Sequence, residues 1–231
     1  MSSRLATLLA HDARLQYRYG IYAAYAFVVA FYCAVLVWAG RWLPEWAPAI
    51  IIFTDPAALG FFFLGALMML EKSERVRTAL AVAPISAPQY LLSKLITLSG
   101  MSLVACAVLL AVLHRPADPG LLLVSVALTS MQYVGIGVPI ALRFRTVNGY
   151  LVGSAGFLAP VIAPGFLALL DDMPGWLAIV PAVSQLRLML VATGAAEATM
   201  GEVALMLAVS GLAAAGAGWL AVHFLRREFG R

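Results

Sequence analysis

The sequence predicts an all-α polytopic membrane protein, and three observations predict it. Of the 231 residues, 63% are hydrophobic and only 11% charged, whereas soluble domains carry about 25% charged residues, so no water-soluble core absorbs this chain. Several charge-poor windows approach the roughly 20 residues a helix needs to cross about 30 Å of hydrocarbon. The segments between these windows concentrate Gly, Pro, Trp and Arg, as in Gly40-Arg41-Trp42-Leu43-Pro44-Glu45-Trp46 and His114-Arg115-Pro116-Ala117-Asp118-Pro119-Gly120, which is the composition of turns at a membrane surface.

Residues 1–19 are expected to form an amphipathic helix. Leu5, Leu8, Leu9, Leu15 and Tyr19 share much of one side, while Arg4, Arg14 and Arg18 occupy others. Such a helix either lies on the inner leaflet ahead of the first span or is an ordinary basic flank. Its charges precede any apolar run and no small-residue cleavage site follows, so it is not expected to be a cleavable signal.

Six spans are expected, at residues 20–39, 49–70, 90–113, 121–142, 150–170 and 203–225. Two tryptophans, Trp42 and Trp46, close the first span and fit an interfacial belt. Residues 176–200 are too short and too interrupted for another crossing: Pro181 breaks the apolar run, and Arg187 and Glu197 follow. A short re-entrant helical hairpin covered by protein is the expectation there.

Lys and Arg placement sets the orientation. With the N-terminus inside, that side holds Arg4, Arg14, Arg18, Lys72, Arg75, Arg77, Lys94, Arg143, Arg145, Arg226, Arg227 and Arg231, and the outside holds only Arg41, Arg115 and Arg187. Both termini are therefore expected in the cytoplasm. The excess of basic residues marks a lipid bilayer rather than a nucleic acid as the partner.

The connector at residues 71–86 is longer than a simple turn requires. Val76, Ala79, Leu80 and Ala83 make one apolar helical stripe beside Glu71, Lys72, Ser73, Glu74, Arg75 and Arg77. Pro84 stops that helix, and Ser86 with Gln89 has the form of a capping box opening the next span. The connector either rests on headgroups or packs into a cytoplasmic partner.

Asp55 falls inside the second apolar run. An ionisable group at that depth is costly. It either caps a helix whose first residue is Pro56, or serves as a contact for a cationic substrate or a proton relay. Gln132 and Tyr133 in the fourth span are candidate pathway residues or hydrogen-bonding glue between helices, and Pro139 is expected to kink that span. Gly149, Gly153 and Gly156, with Gly211, Ala215 and Gly218, read as close-packing faces.

Enzyme signals are weak. Cys33 and Cys106 read as small buried hydrophobes, and no Cys/His spacing suits a metal. No His-Glu-x-x-His and no Walker A sequence occurs, so the chain is expected to bind no cofactor and to be no enzyme by itself.

The amphipathic start, six spans, charged connector and broken hairpin resemble the type-2 ABC transporter permeases (ABC-2 family). The family segment stands here as Glu71-Lys72, Leu80, Pro84-Ile85-Ser86, Tyr90 and Lys94. Gln16-Tyr17-Arg18-Tyr19-Gly20, Phe53-Thr54-Asp55-Pro56, Gly60-Phe61-Phe62-Phe63 and Leu70-Glu71-Lys72 are similar to the fluoroquinolone-export permease subunits. This resemblance implies an ATP-driven exporter in a bacterial plasma membrane. Two copies of an ATPase subunit would carry ATP and Mg, and a second permease subunit, identical or paralogous, would complete a dimer whose interface is the path. It further implies that spans one, two and five line the path and that Glu71, Lys72, Ser73, Glu74, Arg75, Val76, Arg77 and Leu80 couple it to the ATPase. The substrate implied is a hydrophobic or amphipathic small molecule, a drug in the narrower resemblance. Two other classes stay open: a proton-coupled secondary transporter using Asp55, and a non-transporting membrane assembly subunit.

Overall fold

The computed structural model describes residues 2–40, 42–73, 86–113, 117–170 and 172–229, and among them every regular element is helical. The helices are α1 (Ser2–Arg18), α2 (Ile21–Ala39), α3 (Ala47–Ala58), α4 (Leu64–Ser73), α5 (Ala87–Val112), α6 (Pro119–Ala141), α7 (Val147–Ile162), α8 (Pro181–Ala192) and α9 (Met200–Phe229). A π turn at Leu59–Phe63 joins α3 to α4, and 3₁₀ turns at Ala163–Leu169 and Gly175–Ile179 precede α8.

Among the described residues five helical segments are long and apolar enough to cross a membrane: Ile21–Ala39, Ala87–Val112, Pro119–Ala141, Val147–Leu169 and Met200–Glu228. The expected second span, 49–70, is helical throughout but is built from α3, the π turn and α4 rather than one α-helix. A π turn inserts an extra residue into the helical ladder. It follows Pro56, which lacks the N–H that would bond the carbonyl four residues earlier.

Polar side chains set several helix starts. Ser86 N–H donates to Gln89 Oε1 at 3.1 Å ahead of α5. Asp118 Oδ1 accepts from Leu121 N–H at 3.0 Å at the start of α6, and Thr146 Oγ1 accepts from Gly149 N–H at 3.2 Å at α7. Helix α9 begins earlier than the sequence suggests. Thr199 N–H donates to Glu202 Oε2 at 2.7 Å while Glu202 N–H donates to Thr199 Oγ1 at 3.3 Å, a reciprocal cap that satisfies two end donors at once.

Helix α6 is the axis of the bundle. It packs against α3, α4, α5, α8 and α9, and 61% of its most apolar window is buried, against 22% for α2. Two large apolar clusters stack along it. One gathers Leu15, Ile21, Leu67, Tyr90, Leu98, Val138, Tyr150 and Leu225; the other gathers Leu36, Phe53, Leu109, Leu122, Leu186 and Leu190.

Small residues permit the tight crossings, though not all at the expected places. A Cβ added at Gly135 would stand 2.7–2.9 Å from Ala217, so α6 and α9 touch backbone to backbone there. A Cβ at Gly65 would fall 2.0 Å from the Tyr150 ring. Gly156, Gly211 and Gly218, expected to mark packing faces, have nothing within 4 Å of such a Cβ. Gly149 and Gly153 pack instead on their own preceding turn, against Thr146 and Phe144. Spacing identifies a smooth stripe on a helix, but only the bundle decides what covers it.

Candidate functional site

Three features stand out from an otherwise apolar interior. The first is a buried charge network joining α1, α4 and α5. Lys94 Nζ lies 2.5 Å from Asp12 Oδ1 and also pairs with Glu71 Oε1, with all three side chains at most 2% exposed. Tyr90 Oη donates to Glu71 Oε2 at 2.5 Å, and Ser93 Oγ donates to Asp12 Oδ2 at 2.8 Å. Tyr90, Ser93 and Lys94 fall at i, i+3 and i+4 on α5, so one helix face supplies the donors while α1 and α4 each supply a carboxylate. An isolated buried charge costs several kcal/mol, but a carboxylate on either side of the ammonium with two hydroxyl donors behind them offsets much of that cost.

Lys94, counted in the sequence as a flanking charge, is therefore a buried member of this ion-pair network. Glu71 faces this network and Lys72 is exposed. Glu74, Arg75, Val76, Arg77 and Leu80 lie outside the described residues, as does the side chain of Ser73. The network thus sits at the point where the chain enters the 71–86 connector.

The second feature is a groove of about 790 Å³ between α2 and α5, lined by Tyr22, Tyr25, Val29, Met101, Val104 and Val108 among others. Every lining side chain is uncharged. The volume suits a drug-sized molecule.

Asp55 lies behind this groove. Its expected capping role is not what the structure has: α3 runs unbroken from Ala47 to Ala58 through both Asp55 and Pro56. Burial of Ile52 and Phe53 holds that helix, and the Thr54 hydroxyl donates back to the Ile50 and Ile51 carbonyls at 3.0 and 3.1 Å. The Asp55 carboxylate instead accepts a hydrogen bond from Tyr25 Oη of α2. A constriction beyond it is lined by Ile52, Ser102, Cys106, Leu109 and Val126. The Ser102 hydroxyl there is buried with no hydrogen-bond partner among the described residues.

The third feature is a glutamine pair. Gln185 Nε2 of α8 donates to Gln132 Oε1 of α6 at 2.7 Å, both side chains being buried. Tyr133, fully buried, stacks edge-on with Phe61 at 6.2 Å, and its hydroxyl has no partner among the described residues. Gln132 is thus helix-to-helix glue here, while Tyr133 keeps an unused donor in the core.

Asp12, Tyr25, Ser102 and Gln185 were not singled out from the sequence. Their shared signal is a polar side chain inside, or facing, an apolar run, which marks a partner without saying which one. Among the described residues no group of His, Cys, Asp and Glu is placed to hold a metal.

Comparison with known proteins agrees with this picture. The sequence profile of the fluoroquinolones export permease protein family matches residues 3–229. Two Mycobacterium tuberculosis proteins, from strains CDC 1551 / Oshkosh and ATCC 25618 / H37Rv, are each named fluoroquinolones export permease protein. Each is 29% identical over 163 residues, 70% of this chain and 69% of the relative. No solved structure matches the chain.

Proposed function

The chain belongs to the fluoroquinolones export permease protein family, and from that membership we propose that it is the membrane subunit of an ATP-driven exporter of hydrophobic or amphipathic small molecules, drugs included. Two copies, or this chain and a paralogue, would enclose the path, with two ATPase subunits holding ATP and Mg beneath them. On this reading α3, the π turn and α4 form a second crossing of six in a bacterial plasma membrane. Both termini are cytoplasmic, α1 lies on the inner leaflet, and the 176–200 segment dips in and returns.

The observation that carries the proposal is the uncharged, drug-sized groove between α2 and α5, on a face where α2 leaves Phe27 and Phe31 exposed. The charge network supplies a mechanical link. Motion of the 71–86 connector would reach α4 through Glu71, and Lys94 would pass it to α5 and α1 as one unit.

The test is to purify the tagged chain from its native membrane, identify a co-purifying ATPase and measure nucleotide-dependent dye accumulation in inverted vesicles. Charge reversal at Arg75 is expected to uncouple hydrolysis from accumulation, whereas reversal at Glu71, which would bury a second cation beside Lys94, is expected to lower the yield of folded protein as well. A chain that purifies alone and moves nothing on ATP addition overturns the proposal. A proton-coupled carrier is the second reading, favoured by the buried Tyr25–Asp55 pair between α2 and α3; it requires transport driven by a proton gradient without any ATPase and lost in Asp55→Asn.

A further inference from the structure

We infer that Asp55, screened by Tyr25 and approached through the α2–α5 groove, is a recognition site for a lipophilic organic monocation. This deepens the exporter reading and rests on the groove as the substrate path.

The inference begins with charge. Among the described residues no Lys, Arg or His lies within ion-pair distance of Asp55, whereas the other two buried carboxylates, Asp12 and Glu71, share Lys94. A carboxylate in an apolar membrane segment is costly, and such residues ordinarily pair or mark a substrate path. Asp55 has one hydrogen-bond donor, Tyr25, and a neutral donor only partly replaces a counter-charge.

Position supplies the second argument. Tyr25 belongs to both features: its ring lines the groove and its hydroxyl holds Asp55. On α5, Met101, Val104, Ala105 and Val108 face the groove while Ser102 and Cys106 face the constriction beside Asp55. The carboxylate is thus one side chain away from a drug-sized apolar space. The ring of Tyr25 rests edge-on against Phe63 at 6.3 Å, so this one phenol stands between the groove and the carboxylate.

Chemistry decides the ligand class. The groove offers aliphatic walls and two tyrosine rings, Tyr22 and Tyr25, whose faces attract cations. It offers no positive side chain for an anion. The Ser102 hydroxyl, buried and without a partner, gives a further polar contact at the charged end. An apolar body with one delocalised or tertiary-amine positive charge satisfies the groove and the carboxylate together.

The test uses the full-length chain in lipid nanodiscs with tetraphenylphosphonium and tetraphenylborate, which share a shape and differ in charge. Tetraphenylphosphonium is expected to bind at least about tenfold more tightly than tetraphenylborate after correction for empty nanodiscs. Asp55→Asn should remove that preference, Asp55→Glu should keep it, and Tyr25→Phe should tighten cation binding by releasing the carboxylate. Equal binding of both ions, or cation binding unchanged in Asp55→Asn, overturns the inference. If Asp55→Asn does not fold, Tyr25→Phe decides alone when measured at about pH 9, where the carboxylate keeps its charge without that donor: unchanged or weaker cation binding there overturns it.

The exporter reading fails separately. ATP-driven movement of the neutral dye Nile red that persists in Asp55→Asn, with no charge preference in binding, defeats the cation site and leaves the exporter standing. Asp55-dependent cation binding with no nucleotide-driven transport does the reverse.

Discussion

Lys94 and Asp12 stand 82 positions apart in the chain and meet at 2.5 Å with both side chains shut away from solvent. The pair fastens the N-terminal helix to α5, and Glu71 completes it from α4. Each partner is tolerable in the interior only because the other two are present.

Lys94→Met should therefore be strongly destabilising, by about 3–5 kcal/mol, because it leaves two carboxylates buried beside each other without a cation. The triple variant Lys94→Met, Asp12→Asn, Glu71→Gln should recover most of the loss. Thermal unfolding in detergent, read as a mutant cycle, checks this. A triple variant no better than the single one would show that the network acts by shape rather than charge.

Gly135→Ala should cost about 1–3 kcal/mol, because its Cβ would meet the Ala217 backbone rather than a movable side chain. Gly211→Ala and Gly218→Ala, which open onto empty space, should leave the melting temperature of the single chain unchanged. Loss of stability in either of the latter would mean that α9 has a tight partner beyond this chain.

Gln132→Leu should destabilise by leaving the Gln185 amide unpaired, and Gln185→Leu by leaving the Gln132 carbonyl. Their double substitution should cost less than the sum. The coupling expected is about 0.6 kcal/mol, the usual size for hydrogen bonds between membrane helices. Strict additivity in the unfolding free energies would show that the pair contributes no coupling energy.

Thr199→Ala should fray the start of α9 and cost about 1 kcal/mol, the usual worth of an N-terminal cap. Hydrogen exchange should accelerate at Met200 to Glu202 and remain slow near Ala217. Unchanged exchange at the helix start would mean that packing, not the cap, holds it.

Much of the architecture was legible in the chain. Apolar length alone marks Ile21–Ala39, Ala87–Val112, Pro119–Ala141, Val147–Leu169 and Met200–Glu228, since the bilayer demands a fixed span whatever the fold. The Ser86–Gln89 cap was readable because both partners sit within one turn. The Thr199-x-x-Glu202 cap has the same form but stands just ahead of the apolar run, so apolar length alone starts the helix too late. Asp55 shows the opposite error: Asp-Pro is a strong local helix-start signal, yet burial of Ile52 and Phe53 carries α3 through it, and the carboxylate turns to Tyr25, 30 residues earlier.

The sequence by itself determined the solvent, the membrane, and the lengths of the elements that cross it, because hydropathy and helix caps are properties of neighbouring residues. Only the tertiary structure decided which charges are partners and which side chain screens Asp55. The same holds for Gly135, which touches a backbone where Gly211 and Gly218 do not. Those outcomes depend on contacts between helices far apart in the chain. In an apolar interior, where a polar group without a partner is expensive, pairing is settled by which helix faces which rather than by local spacing.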